Sequence, residues 1–262
     1  MTLTAQAISV RAGPKTILSD VSFHAQPGQL TAIVGPNGSG KSTLMKALTG
    51  EIRATGHVML NKIEVATARP EVLADMRAVL PQSTSMSFPF QLLEVVRLGL
   101  RFRGPGSEDV ARDALTRVGL AGYEARFYQE LSGGEQQRAQ LARVLCQIWS
   151  PYPDKMPRWL FLDEPVASLD IAHQLQVMQI ARAFADAGGG VLAVMHDLNL
   201  SAMFADKVMV MQQGRLVAAG TVRDTLRDDL LSDVYGCVVQ SCATPSGESW
   251  YVLPHLSSAA SH

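Results

Sequence analysis

Gly35, Pro36, Asn37, Gly38, Ser39, Gly40, Lys41, Ser42 and Thr43 run GPNGSGKST, a glycine-rich stretch closing on Gly-Lys-Ser. That composition suits a cradle for nucleotide phosphates. Glycine takes the backbone angles that aim successive amide N–H groups at one point, and a helix opening there adds its positive end. Lys41 would bring a point charge to the β- and γ-phosphates, and Ser42 a hydroxyl to Mg2+. The apolar run Leu30 to Val34 precedes the loop, and Leu44, Ala47 and Leu48 follow it at helical spacing. The loop is thereby placed between a buried strand and an amphipathic helix, the setting this chemistry requires.

A second run, WLFLDEP from Trp159 to Pro165, sets two carboxylates at the end of an apolar strand. Ligands gather at such strand ends. Asp163 is placed to hold Mg2+, and Glu164 to polarise a water for in-line attack on a γ-phosphate. The plainer alternative is that both merely cap the next segment. A third run, LSGGEQQR from Leu131 to Arg138, opens an amphipathic helix with Ser132, Gly133 and Gly134. Exposed N–H groups, a hydroxyl and a helix N-terminus make a second anion site. Ser132 could equally be an N-cap, with Glu135 completing a capping box.

The elements that must position these groups follow from periodicity. Ala7 to Val10, Thr16 to Leu18 and Val21 to Ala25 read as short antiparallel strands before Leu30 to Val34, and a helix spans about Lys41 to Leu48. Val58 to Leu60 and Lys62 to Val65 flank Asn61 as a hairpin, and Ala78 to Leu80 is a short strand. From Leu92 to about Ile148 the period becomes helical, with helices at 93–100, 108–118 and 134–146. A proline-rich loop leads to the strand Trp159 to Leu162, a helix from Ile171 to about Ala187, and the strand Gly190 to Met195. Lys207 to Gln212, Arg215 to Ala219 and a helix near Val222 to Arg227 close the core, before a small appendage around Gly247-Glu248 and the tail SSAASH. Alternating strands and helices predict an α/β fold with a mostly parallel sheet and a helical insertion.

Composition limits the partners. The 262 residues, 47% of them apolar, can bury a large core, and 23 basic against 24 acidic residues argue against a nucleic-acid surface. The three cysteines, Cys146, Cys237 and Cys242, lack metal-ligand spacing with the histidines and read as reduced thiols of a cytoplasmic protein. The N-terminus lacks a basic region followed by an apolar one, and no stretch reaches the ~18 apolar residues that would span a bilayer. Membrane association is therefore expected through a partner.

GPNGSGKST, Gln82 at a strand end, LSGGEQQR, LFLDEP, Ala167-Ser168-Leu169-Asp170 and His196 at another strand end occur in that order. The chain resembles the ATP-binding-cassette ATPase family over nearly its whole length. The resemblance implies a P-loop NTPase (RecA-like) core with an N-terminal antiparallel β subdomain and an α-helical insertion subdomain, in a single ABC ATPase domain spanning 1–262. Residues 1–85 and 155–230 would form the core with its β subdomain, 86–154 the helical signature subdomain and 231–262 the appendage. It implies ATP and Mg2+ as ligands, the metal meeting Ser42, Gln82 and Asp163. It also implies a head-to-tail homodimer in which Ser132 and Gly134 of one subunit close on the γ-phosphate held by Lys41 of the other. Gln82 would sense metal and attacking water, Asp170 would act across the dimer, and His196 would contact the γ-phosphate. His196 could otherwise be a helix cap, and Gln82 an ordinary loop residue.

Two departures from the family pattern stand out. Ala12, with Arg11 beside it, sits where the family usually stacks an aromatic ring on adenine, so modest discrimination between ATP and GTP is expected. PVASLD replaces the usual small residues after the carboxylates but keeps Asp170, with little consequence expected. Within the family, the stretches FPF, PRWLFLDEP and MHDLNLSAMFADKVMVMQQGRLVAAG are similar to those of stand-alone subunits of bacterial metal-chelate importers, hemin importers above all. That resemblance implies two copies of a transmembrane permease, indirectly a periplasmic hemin-binding protein, and a peripheral place on the cytoplasmic face of the bacterial inner membrane. Siderophore and cobalamin importer subunits share much of the pattern, and a soluble ABC ATPase is the alternative of a different class. Met86, Phe88 and Phe90 around Pro89 are the expected socket for a short helix of the permease, unless they fill the local core.

Overall fold

The computed structural model describes residues 1–82, 86, 88–100, 106–243 and 250–254. The chain opens with β1 (Leu3–Ala12), β2 (Lys15–Ala25) and β3 (Leu30–Val34), then α1 (Lys41–Leu48), β4 (Thr55–Leu60), β5 (Ile63–Glu64), α2 (Pro70–Met76) and β6 (Arg77–Leu80). Helices α3 (Leu92–Arg97), α4 (Ser107–Arg117) and α5 (Gly133–Gln147) follow. Next come β7 (Trp159–Asp163), α6 (Ile171–Asp186), β8 (Gly190–Val194), α7 (Leu198–Phe204), β9 (Lys207–Gln212) and β10 (Arg215–Gly220). The described part ends with α8 (Val222–Thr225), α9 (Asp228–Tyr235), β11 (Val239–Ala243) and β12 (Trp250–Pro254).

Strands β2-β1-β4-β5 make an antiparallel platform. The main sheet runs β10-β9-β3-β8-β7-β6, parallel except for the β10–β9 hairpin. A parallel sheet must be covered on both faces, and its strands show how. Leu30, Ala32 and Val34 of β3 and Leu160 and Leu162 of β7 enter a core shared with α3, α4, α5 and α6. The alternate residues Ile33, Trp159 and Phe161 enter a second core shared with α1 and the platform. Since β3, β6, β7 and β8 run in the same direction, the segments that leave their carboxyl ends collect along one edge.

A polar tie sets the platform against this sheet. Asn61 turns between β4 and β5 with a left-handed φ of 51°, a conformation asparagine tolerates better than most residues. Its buried amide donates to the Pro157 carbonyl at 2.7 Å, and its Oδ1 accepts from the Trp159 indole at 3.2 Å.

Three differences from the sequence reading have local causes. The two runs in 16–25 form one strand, bent at Asp20 (φ 53°), whose N–H donates to the Ser9 hydroxyl at 2.9 Å. Helices α2, α7 and α9 were not expected; each is short, and two of them start on sequence signals discussed below. The appendage is α9 with the β11–β12 hairpin, while Gly247, Glu248 and the SSAASH tail lie outside the described residues. Among the described residues no helix is long and apolar enough to cross a membrane.

Candidate active site

Where β3 ends, the glycine loop turns under tight constraint. Gly35, Gly38 and Gly40 have φ of 146°, 75° and 101°. A Cβ on Gly35 would lie 2.1 Å from the Met211 carbonyl oxygen, and one on Gly40 would lie 2.7 Å from Leu18 Cδ2, so neither position accepts a side chain. The Gly214 N–H, in the β9–β10 turn, fixes the loop by donating to the Ser39 carbonyl at 2.9 Å. Ser39 itself is buried, and its hydroxyl has no partner among the described residues. A buried hydroxyl is ordinarily hydrogen-bonded, and one left free within the glycine loop suits a phosphate oxygen.

Lys41 folds back so that its ammonium donates to the carbonyls of Gly35 (2.8 Å) and Pro36 (3.0 Å). Burial lowers its pKa, while Glu164 and Asp163 pull it the other way. Next to it Ser42 donates to Asp163 Oδ1 at 3.1 Å. Burial raises the Asp163 pKa; the Ser42 hydrogen bond opposes that shift, and the neighbouring Glu164 adds to it. An ionised carboxylate held out of water beside another carboxylate is a place where a cation lowers the energy. The hard oxygens of Ser42 and Asp163 therefore fit Mg2+. No group of three or more His, Cys, Asp or Glu with metal-holding geometry occurs among the described residues, so a metal here would need ligands beyond those four residue types.

Glu164 leaves the strand in a left-handed conformation, φ 53°, with its N–H donating to the Val194 carbonyl on β8 at 3.2 Å. This turn brings its carboxylate between two partners. His196 Nε2 lies 2.6 Å from Oε1, and the Gln82 amide donates to Oε2 at 2.9 Å. Gln82, Glu164 and His196 follow β6, β7 and β8 respectively, and adjacency of these strands is what joins them. His196 is not a helix cap. Asp197 caps α7 by accepting from the N–H groups of Asn199 and Leu200, at 2.7 and 3.0 Å, which leaves the imidazole to Glu164.

Ser132 and Asp170 stand apart from this cluster: no hydrogen bond joins either to the cradle among the described residues. The Ser132 hydroxyl donates to Glu135 Oε2 at 2.8 Å and accepts from the Glu135 N–H at 3.3 Å, the capping box of the plainer reading. The Gly133 and Gly134 amides open α5 beside it, and a Cβ on Gly134 would lie 3.1 Å from Leu169 Cδ2. Asp170 caps α6, accepting from the His173 N–H at 2.9 Å, and its imidazole partner helps to hold its pKa low. Gln137, which the sequence reading passed over, donates from α5 to the Glu164 carbonyl at 3.1 Å and so ties the serine-glycine helix to the carboxylate turn. Its only sequence signal was its place in GEQQR.

Arg11 and Ala12 sit exposed at the tip of the β1–β2 hairpin, paired with Thr16 and Lys15 and one step from the Ile17–Leu18 segment that packs on Gly40. A groove of 510 Å3 lies between Gln82 and α5, reaching Tyr128, Gln137, Glu164 and Ser168. At its approach the expected apolar socket is corrected. Met86 and Phe90 pack against the core, and of the three residues only Phe88 is largely exposed, at 70%, its ring edge-to-face with that of Phe90. Phe127, 42% exposed, lies on the segment hydrogen-bonded to Phe90 and supplies a second exposed ring. Residues 83–85 and 87 of that stretch lie outside the described ones.

A parallel sheet whose inner strand ends in such a loop, with paired carboxylates two strands away, defines a P-loop nucleoside triphosphatase. Residues 18–167 match the family model described as ABC transporter, and the chain belongs to that family. It is 56% identical to the hemin import ATP-binding protein HmuV of Ruegeria sp. (strain TM1040) over 261 residues, covering 99% of this chain and all of the relative. The HmuV of Jannaschia sp. (strain CCS1) is 55% identical over 255 residues, covering 97% of this chain and 94% of that one. In fold, the chain is similar to an ATP-binding cassette of an ABC transporter solved in its ADP conformation. The TM-score is 0.77 at 23% identity, with 90% of this chain and 98% of the other covered.

Proposed function

We propose that this chain is the ATP-hydrolysing subunit of an ABC importer that takes up hemin through a permease in the bacterial inner membrane. The observation that carries the hydrolytic part is the Glu164 carboxylate held between Gln82 and His196, beside the Ser42–Asp163 pair and the glycine loop at 35–43. In this reading the loop amides, the Ser39 hydroxyl and Lys41 bind the phosphates. Lys41 leaves its two carbonyls for the β- and γ-phosphates, a move that replaces neutral acceptors with charged ones. Ser42 and Asp163, with Gln82, would hold Mg2+, which would supply charge neutralisation to the phosphates. Glu164 orients a water and takes its proton as the water attacks in line, while His196 holds the carboxylate and meets the γ-phosphate.

The same reading sets two chains head to tail, Ser132 and Gly134 of each facing the nucleotide of the other, with Asp170 at the seam. Its support is that Ser132, Gly133 and Asp170 lie exposed, away from their own cradle. It divides the domain into 1–85 with 155–230, 86–154 and 231–262, supported by the segregation of helices α3 to α5 on one face of the sheet. Phe88, Phe127 and the groove beside Gln82 receive the permease, so that the subunit is peripheral on the cytoplasmic face and two permease copies meet two ATPases. A periplasmic hemin-binding protein would deliver the cargo from the far side. Hemin rests on the names of the relatives.

Co-expression with the neighbouring permease tests the transport reading. Recovery of one detergent-soluble complex that hydrolyses ATP is expected. A chain that ignores the permease and hydrolyses ATP only when DNA or RNA is added would instead be a soluble ATPase.

A further inference from the structure

At the end of the main sheet opposite the cradle, a cleft of 470 Å3 opens between the two sheets, where β2 leaves the platform and β3 and β9 begin. This volume lies within the range that accepts small molecules. Its inner wall holds Thr31 and Lys207, paired across the parallel strands β3 and β9 and so on the same face of the sheet. Thr31 is only 3% exposed, and its hydroxyl makes no hydrogen bond among the described residues, which leaves it available to the cleft it lines. His24, Gln26 and Gln29 bring an imidazole and two amides to the rim, and none of these side chains is hydrogen-bonded within the described chain. Phe23 and Met209 give the cleft an apolar floor.

The charge around the cleft is one-sided. Among the described residues, no Asp or Glu lines it. The two nearby carboxylates are engaged elsewhere: Asp206 accepts from the Leu30 N–H at 2.7 Å and from Arg182, while Asp224 is bound by Thr221 at 2.6 Å and feels Lys207 only at longer range. What remains is an ammonium, a hydroxyl and amides above an aromatic and a thioether.

We propose that this cleft binds a small organic carboxylate with an apolar body, its carboxylate on Lys207 and Thr31 and its body against Phe23 and Met209. Such a ligand bridges the end of β2 to the start of β3, the strand that carries the phosphate cradle at its other end, and so fastens the platform to the nucleotide core. It is separate from the ATP site and needs no part of it.

Benzoate is the probe, with benzylamine as a cation of the same shape. Calorimetry and thermal melting of the full chain should show saturable 1:1 binding of benzoate at millimolar concentration and a raised melting temperature, with no response to benzylamine. Lys207→Gln should weaken benzoate about tenfold or more, the loss of one charge-assisted contact, and Thr31→Val should weaken it less, while ATP affinity of both variants stays at the wild-type level. Absence of saturable benzoate binding, equal binding of benzylamine, or benzoate affinity indifferent to both substitutions would overturn the proposal. Because Thr31→Val is nearly isosteric, it remains informative should Lys207→Gln fold poorly.

Discussion

At the scale of single residues, the site divides groups that bind from groups that react. Both Glu164 oxygens are taken by side chains, one by Gln82 and the other by His196. Glu164→Gln keeps its shape and removes the base, so hydrolysis should fall by about 10²–10⁴, while ATP still binds and the closed dimer persists on size-exclusion chromatography. Near wild-type turnover by this variant would contradict the role given to Glu164. Asp163 carries a cost of a different kind. Its folded pKa lies above the ordinary carboxylate value of about 3.9, so the ionised form is disfavoured by folding wherever pH exceeds that raised value. Asp163→Asn should therefore raise the melting temperature near pH 7 while abolishing Mg2+-dependent hydrolysis, and the gain should shrink as pH falls through the raised value and vanish well below about 3.9, where both states hold the proton. A third residue-level expectation concerns the base. With Ala12 and Arg11 at the hairpin tip in place of an aromatic ring, the ratio of ATP to GTP hydrolysis should stay below about 100. A much larger ratio, unmoved by Arg11→Ala, would show that adenine is read elsewhere.

At the scale of elements, the polar tie through Asn61 decides how firmly the platform sits on β7. Asn61→Ala leaves the Trp159 indole and the Pro157 carbonyl buried without partners, and should cost about 2–4 kcal/mol in denaturant unfolding, with ATP affinity in the folded protein unchanged. This contact could not be read from the sequence, since it joins positions 96 and 98 residues apart. The strands could be: β3, β7 and β8 are short apolar runs bounded by turn residues, and the helix at 41–48 falls where the spacing of Leu44, Ala47 and Leu48 sets it. The missed helices carried weaker signals that were nonetheless present. Pro70 stands in the first turn of α2, with Glu71 beside it, and α9 begins with Asp228 and Asp229 and ends at Gly236 in a left-handed turn. At seven or eight residues, too few apolar positions accumulate for periodicity to reveal them. Motif order placed Lys41, Ser42, Gln82, Asp163, Glu164 and His196 in one site before any coordinates, because each ends or follows a strand of the same sheet. Gln137 escaped because a glutamine in an amphipathic helix looks like any solvated one until its carbonyl partner is known.

At the scale of the whole molecule, the chain offers half of a device. Its own Ser132 is satisfied by Glu135, its Asp170 by His173, and Lys41 by two backbone carbonyls, so these three groups need no second subunit to be hydrogen-bonded. ATP would convert it by drawing Lys41 onto phosphate and presenting that phosphate to the amides of a second copy, and hydrolysis would release the pair. In the proposed importer a permease seated in the groove beside Gln82 would read that cycle through Gln82, whose amide donates to Glu164. The most direct test is the ATPase rate of this subunit assembled with its permease in liposomes, as hemin-loaded binding protein is added and then replaced by ferric-siderophore or cobalamin counterparts. Stimulation by the hemin-loaded protein alone is the predicted result. Stimulation only by another chelate would contradict hemin as the cargo, and a rate indifferent to every loaded binding protein would contradict the coupling of this ATPase to import.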